Sequence, residues 1–151
     1  MTRAARRSFL ARLAGAICAL ALVPLRAFGA ERNVEAFESK DVAKALRLIG
    51  AAAAIESDDV ILKAPDIAEN SALVHIEIES KLPGTETIWV LADKNPQPLI
   101  AQFDLLPGVD PFVAVRIKMA DSAFIRAVVR ANGKYWYAKK DTKVTIGGCA
   151  G

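Results

Sequence analysis

The chain has 151 residues, of which 53% are apolar, and carries 20 Lys and Arg against 17 Asp and Glu for a formal net charge of +3. The first 30 residues hold five of the basic side chains and no acid, so residues 31–151 carry 15 basic against 17 acidic, a net −2. That balance leaves no electrostatic basis for a nucleic-acid partner or an anionic membrane surface once the basic start is removed.

The start reads as an export signal. Arg6 and Arg7 precede Ser8, Phe9 and Leu10, and an apolar run from Ala11 to Val23 follows, broken only by Arg12. The run is shorter than the roughly 20 apolar residues that cross a bilayer, so it predicts a removable leader and no membrane insertion after cleavage. The paired arginines resemble a twin-arginine leader, with Ala5 standing where Ser or Thr is usual. Small residues after Ala27 place cleavage at Gly29 or Ala30. The expected domains are therefore a leader over 1–30, one folded domain over 31–146 and a C-terminal arm over 147–151. About 120 residues suit one ordinary domain, and no linker or repeat divides them.

Within that domain, Val34, Phe37, Val42, Ala45, Leu46 and Ile49 recur at helical spacing, which predicts one amphipathic helix from about Ser39 to Gly50, with an earlier start open. Gly50 supplies the stop. From Val60 the period becomes two. Val60 to Leu62 forms a short strand; Val74, Ile76 and Ile78 alternate with His75, Glu77 and Glu79; further alternating runs cover Thr87 to Ala92, Leu99 to Leu105 and Val113 to Met119. Ala123 to Arg130 and Lys134 to Lys139 flank Asn132-Gly133, a strong hairpin signal, and a last strand spans Thr142 to Ile146. Pro83-Gly84, Asn95-Pro96, Pro107-Gly108 and Asp110-Pro111 supply the breaks. The pattern predicts a mainly β, antiparallel immunoglobulin-like β-sandwich of about seven strands with an N-terminal helix covering an edge or an end. Trp89 and Phe103 are expected in one shared core. The antibody-type Cys-Trp-Cys pattern is absent, so the likeness is architectural.

Chemistry concentrates at the far end. Cys18 lies in the leader, which leaves Cys149 as the one thiol of the exported chain, between Gly147-Gly148 and Ala150-Gly151. Residues 147–151 reach at most about 18 Å fully extended. A nucleophilic cysteine enzyme needs a base and an oxyanion site, and the sequence supplies neither beside Cys149. His75, the single histidine, reads as an ordinary strand residue, and one Cys, one His and Met119 make no metal set. Gly147-Gly148 lacks the helix and lysine of a phosphate loop, and Cys149 has too few residues after it for prenylation. No catalytic residue, metal or cofactor is expected. Covalent attachment of a cargo, an intermolecular disulfide and a tail without a role remain open for this thiol.

Val144-Thr145-Ile146-Gly147-Gly148-Cys149-Ala150-Gly151 resembles the terminal Val-Thr-x-Gly-Gly-Cys-Gly-Gly signature of the SoxY family, the sulfur-carrier subunits of thiosulfate oxidation. Ala64-Pro65-Asp66-Ile67-Ala68-Glu69-Asn70 resembles that family's Ala-Pro-x-Ile-Ala-Glu-Asn run, and Phe112-Val113 through Met119 its late strand. The resemblance implies a periplasmic carrier without its own catalytic site. Cys149 would hold thiosulfate-derived sulfur, and Gly147, Gly148, Ala150 and Gly151 would form the flexible arm. The implied partners are a SoxZ-like β-sandwich subunit in a heterodimer, a haem-containing thiosulfate-coupling enzyme, a sulfate-releasing hydrolase and a sulfane-oxidising enzyme. The alternative is a periplasmic β-sandwich adaptor that makes an intermolecular disulfide through Cys149. Three positions depart from the family pattern: Ala150 and Ser71 replace glycines, and His75 stands where proline is common. Asp66, Glu69 and Asn70 are expected to fix a turn and not to touch sulfur, since acids would repel an anionic cargo.

Overall fold

The computed structural model describes residues 32–145. The leader expected over 1–30 and the arm residues Gly147, Gly148, Cys149, Ala150 and Gly151 lie outside the described residues.

Two helices open the domain, α1 (Val34–Glu38) and α2 (Val42–Leu48). The single expected helix is split because Asp41 leaves helical geometry and accepts the Lys44 amide at 2.6 Å, which makes it the N-cap of a new helix. Asn33 caps α1 in the same way and also donates to the Leu48 carbonyl at 2.9 Å, tying the two helices together. Gly50 ends α2 at φ +81, with Gly50 N–H bonded to the Arg47 carbonyl and Ala51 N–H to Leu46, the pairing of a Schellman cap.

Among the described residues nine strands follow: β1 (Ile55–Glu56), β2 (Val60–Lys63), β3 (Ile67–Ala68), β4 (Val74–Ser80), β5 (Thr85–Ala92), β6 (Leu99–Asp104), β7 (Phe112–Ile117), β8 (Ala123–Ala131) and β9 (Lys134–Val144). The larger sheet runs β1-β9-β8-β5-β6, and the smaller runs β2-β4-β7. Asn132 and Gly133 take φ of +50 and +71 between Ala131 and its cross-strand partner Lys134, the two-residue hairpin that their identities call for. The expected strands from Lys134 to Lys139 and from Thr142 to Ile146 are one continuous β9, since Lys140 and Asp141 keep their pairing with Ile125 and Phe124.

The two sheets face each other across Ile76, Ile78, Ile88, Val90, Ile125, Val129 and Met119, all essentially inaccessible to solvent. β4 shows the expected alternation, with Val74, Ile76 and Ile78 inside and His75 and Glu79 outside. The helices do not cover an edge. They lie on the outer face of the larger sheet, where Ala36, Ala45 and Ile49 meet Trp89, Leu91, Leu99 and Val128. This third layer explains why β5 is buried on both faces from Thr87 to Ala92. It also separates Trp89 from Phe103: the indole packs under the helices and donates to Gln102 at 3.0 Å, while the phenyl packs against the inter-sheet core.

Two stability outcomes follow from this packing. Ile78→Ala, at a fully buried position, is expected to lower unfolding free energy by about 2–5 kcal/mol, whereas Leu106→Ala, at 74% exposure, should stay within about 0.5 kcal/mol; urea titration separates them. Gly50→Ala places a Cβ 2.8 Å from the Tyr135 hydroxyl oxygen at a positive φ, so it should destabilise by about 1 kcal/mol or more in the same titration.

Candidate functional site

Cys149 and the arm residues expected to carry the chemistry lie past the last described position, Thr145. The structure therefore speaks to how the chain is held as it enters the arm. β9 is flanked by β8 along one edge, while the other edge meets two short parallel strands, β1 opposite Trp136 and Tyr137 and β3 opposite Lys143 and Val144. Parallel pairing at β3 requires the chain to leave the larger sheet after β1, add β2 to the smaller sheet and return. Pro65 helps to end β2 and start that return, because it cannot donate to a ladder.

Stretch 64–70 therefore sits beside the root of the arm. The Asp66 carbonyl accepts the Lys143 amide at 2.9 Å, and the Ala68 carbonyl accepts the Thr145 amide at 3.1 Å. The Thr145 hydroxyl makes two long contacts of 3.4 Å, to the carbonyl oxygens of Ala68 and Glu69. On the other edge, the Val144 amide donates to the Ser122 hydroxyl at 3.0 Å. Ala68 is buried toward the inter-sheet core, while Ile67 faces outward. Lys140 pairs with the exposed Asp66 carboxylate and, through that hydrogen bond and its charge, holds the carboxyl below its usual range.

Asn70 closes the stretch as an Asx turn, its side-chain oxygen accepting the Ala72 amide at 2.9 Å. Ser71, which replaces a glycine of the family pattern, has no positive φ, so this departure carries no backbone strain. Its carbonyl accepts the Met119 amide at 2.8 Å, and Met119 fills the inter-sheet core. Asp66 and Glu69 thus flank the two-residue strand β3, and Asn70 makes the turn that follows. Sequence periodicity gave no sign of β3, because two residues are too few to show a period, and none of Ser122, whose part depends on meeting β9 from 22 residues away.

His75 is more than half exposed on β4, with Nε2 3.5 Å from the Glu77 carboxylate. Glu77 also accepts from Lys63 at 3.2 Å, and Lys63 first, then His75, hold its carboxyl below the usual range. These side chains line a shallow groove with Ala64 and Pro65. A second cavity, about 200 Å³, lies between the helices and the larger sheet, lined in part by Arg126 and Tyr137. Its charges are committed: Asp93 grips the Arg126 guanidinium with three contacts of 2.7 to 3.0 Å and raises its pKa, and the Tyr137 hydroxyl donates to Glu56 at 3.1 Å. Among the described residues no three His, Cys, Asp or Glu side chains are grouped to hold a metal ion.

Comparison with known proteins places this geometry in a family. Residues 45–149 match the family described as sulfur oxidation protein SoxY. Among solved structures, the sulfur carrier protein SoxY from Chlorobium limicola f thiosulfatophilum is similar at 36% identity and a TM-score of 0.63, over 70% of this chain and 97% of that one. A superoxide reductase (neelaredoxin) from Ignicoccus hospitalis shares the fold alone, at 17% identity and a TM-score of 0.51, over 57% of this chain and 79% of that one. Among curated proteins no sequence matches. With 105 of its 151 residues inside the family match, and with that match reaching the cysteine beyond the β3–β9 pairing, the chain belongs to the SoxY family of sulfur oxidation proteins.

Proposed function

We propose that the protein is a periplasmic sulfur carrier that holds thiosulfate-derived intermediates covalently on Cys149 and presents them to partner enzymes. The observation that carries this reading is the extent of the family match, which runs to Cys149 in the Gly147-Gly148-Cys149 sequence. The described domain supports it by ending in a strand fixed to its neighbours within a few residues of that thiol. The similar Chlorobium protein is itself described as a sulfur carrier.

The chemistry divides between carrier and partners. Joining the Cys149 thiol to the terminal sulfur of thiosulfate forms one sulfur–sulfur bond and releases one proton and two electrons, and the electrons pass to a haem-containing coupling enzyme. Water then cleaves the bond to the sulfonate group in a hydrolase partner, releasing sulfate and leaving a sulfane sulfur on Cys149 for a further oxidising enzyme. The carrier supplies a nucleophile and reach; the partners supply the electron sink, the activated water and the active-site walls. A SoxZ-like β-sandwich subunit completes the carrier as a heterodimer. Ala150 in place of glycine adds a Cβ beside the thiol and narrows the backbone choices of the arm as it enters a partner channel.

In reconstitution with a haem coupling enzyme, thiosulfate-dependent haem reduction should require this protein and fall to background for Cys149→Ser, with the thermal midpoint unchanged. The carrier alone should not turn over thiosulfate. A reductant-sensitive adduct to another protein that carries no extra sulfur, with haem reduction unaffected by Cys149→Ser, would favour the disulfide adaptor.

A further inference from the structure

β9 outruns its antiparallel partner. Pairing with β8 ends at Thr142 opposite Ala123, yet the strand continues to Val144. Beyond that point the backbone donors would face solvent or go unpaired unless other groups met them. Three successive residues each find an acceptor: Lys143 bonds the Asp66 carbonyl, Val144 the Ser122 hydroxyl and Thr145 the Ala68 carbonyl, at 2.9, 3.0 and 3.1 Å. Successive amides of a strand point to opposite edges, so the overhang is gripped from both sides. The β3 side uses backbone carbonyls that any sequence would offer. The other side uses a single side chain, Ser122.

We propose that residues 66–69 and Ser122 form a clasp that fixes the pivot of the Cys149 arm at Thr145, and that Ser122 is a positioning residue for cargo delivery. The proposal rests on the carrier reading of Cys149, but the clasp can be measured without any sulfur bound. With the pivot at Thr145, the Cys149 Cα lies within about 14 Å of the Thr145 Cα, at 3.3–3.6 Å per residue. Opening the clasp back to Thr142 adds three residues, about 10 Å of further reach. The longer arm is not a better one. For an arm already long enough to span to a docked active site, effective concentration falls roughly as the −3/2 power of length, so a length of seven residues in place of four lowers it about twofold. The clasp therefore shortens the search of the thiol for its target.

The first experiment is amide exchange on the unmodified full chain. Amides of Lys143, Val144 and Thr145 are expected to exchange at least about tenfold more slowly than free peptide; exchange at the free-peptide rate in this chain would overturn the proposal. In Ser122→Ala, protection at Val144 should drop about tenfold while Tyr135 to Ala138 keep theirs, and Ser122→Thr, which retains a hydroxyl, should restore it. The positional readout uses spin labels on Cys149 and on a cysteine at position 134, in full chain carrying Cys18→Ser and Lys134→Cys. Ser122→Ala should broaden the distance distribution and push its outer limit outward by up to about 10 Å, with Ser122→Thr resembling the parent. Identical distributions in the parent and Ser122→Ala would contradict a positioning role, whatever the outcome of sulfur loading.

Discussion

The structure depends on how β9 satisfies its backbone. An 11-residue strand at one side of a sandwich needs partners along its full length, and β8, nine residues long, serves it only from Lys134 to Thr142. The opposite edge is met by two fragments of two residues each, β1 near the hairpin and β3 near the end. Those fragments oblige the chain between them to cross to the smaller sheet and back, which places β2 and the Ala64–Asn70 stretch where they are. The same bonds cap an edge that would otherwise be open to pairing with another chain.

Around this arrangement, burial is divided between two apolar cores. β5 and β8 form the wall between them, with Ile88, Val90 and Ile125 facing the smaller sheet and Trp89, Leu91 and Val128 facing the helices. A sheet covered on both faces deforms little, since displacing any strand disturbs packing on two sides. Arg126 and Asp93 add a polar tie on the helix side, joining β8 to the residue that follows β5 by a two-pronged ion pair about a fifth exposed at each end. Among the described residues, the end of β9 is the last part of this scaffold before the segment that contains Cys149.

Much of this was legible in the sequence, and the failures have physical causes. Alternation located β4, β5, β6, β7 and β8 because each has one or two buried faces, and Asn132-Gly133 fixed its hairpin through two positive φ angles. The break between α1 and α2 was missed because helical spacing persists across Ser39 to Asp41 while the Asp41 side chain caps a new helix. Trp89 and Phe103 were assigned to one core because alternation gives the parity of a residue within its own strand and says nothing of which layer covers which face. Cys149 was singled out by its terminal position between small residues and lies outside the described residues, whereas β3 and Ser122 gain their roles from contacts between distant segments. Of the turn expected of Asp66, Glu69 and Asn70, the Asn70 side chain makes the Asx turn, while the Asp66 carbonyl pairs with β9.

On the proposed reading, the carrier's nucleophile lies in a stretch of chain separate from the two cores, which separates stability from reactivity. That reading expects substitutions in the cores to change how much protein is folded, and Cys149→Ser to change what the folded protein can carry. The most direct test of the central claim is intact mass spectrometry of the protein purified without reductant from cells grown on thiosulfate, beside a Cys149→Ser variant. The account predicts mass increments equal to added sulfur or a thiosulfonate group, removed by reductant and absent from the variant. A thiol that stays unmodified under these conditions, or one found only in a disulfide to another protein, would contradict it.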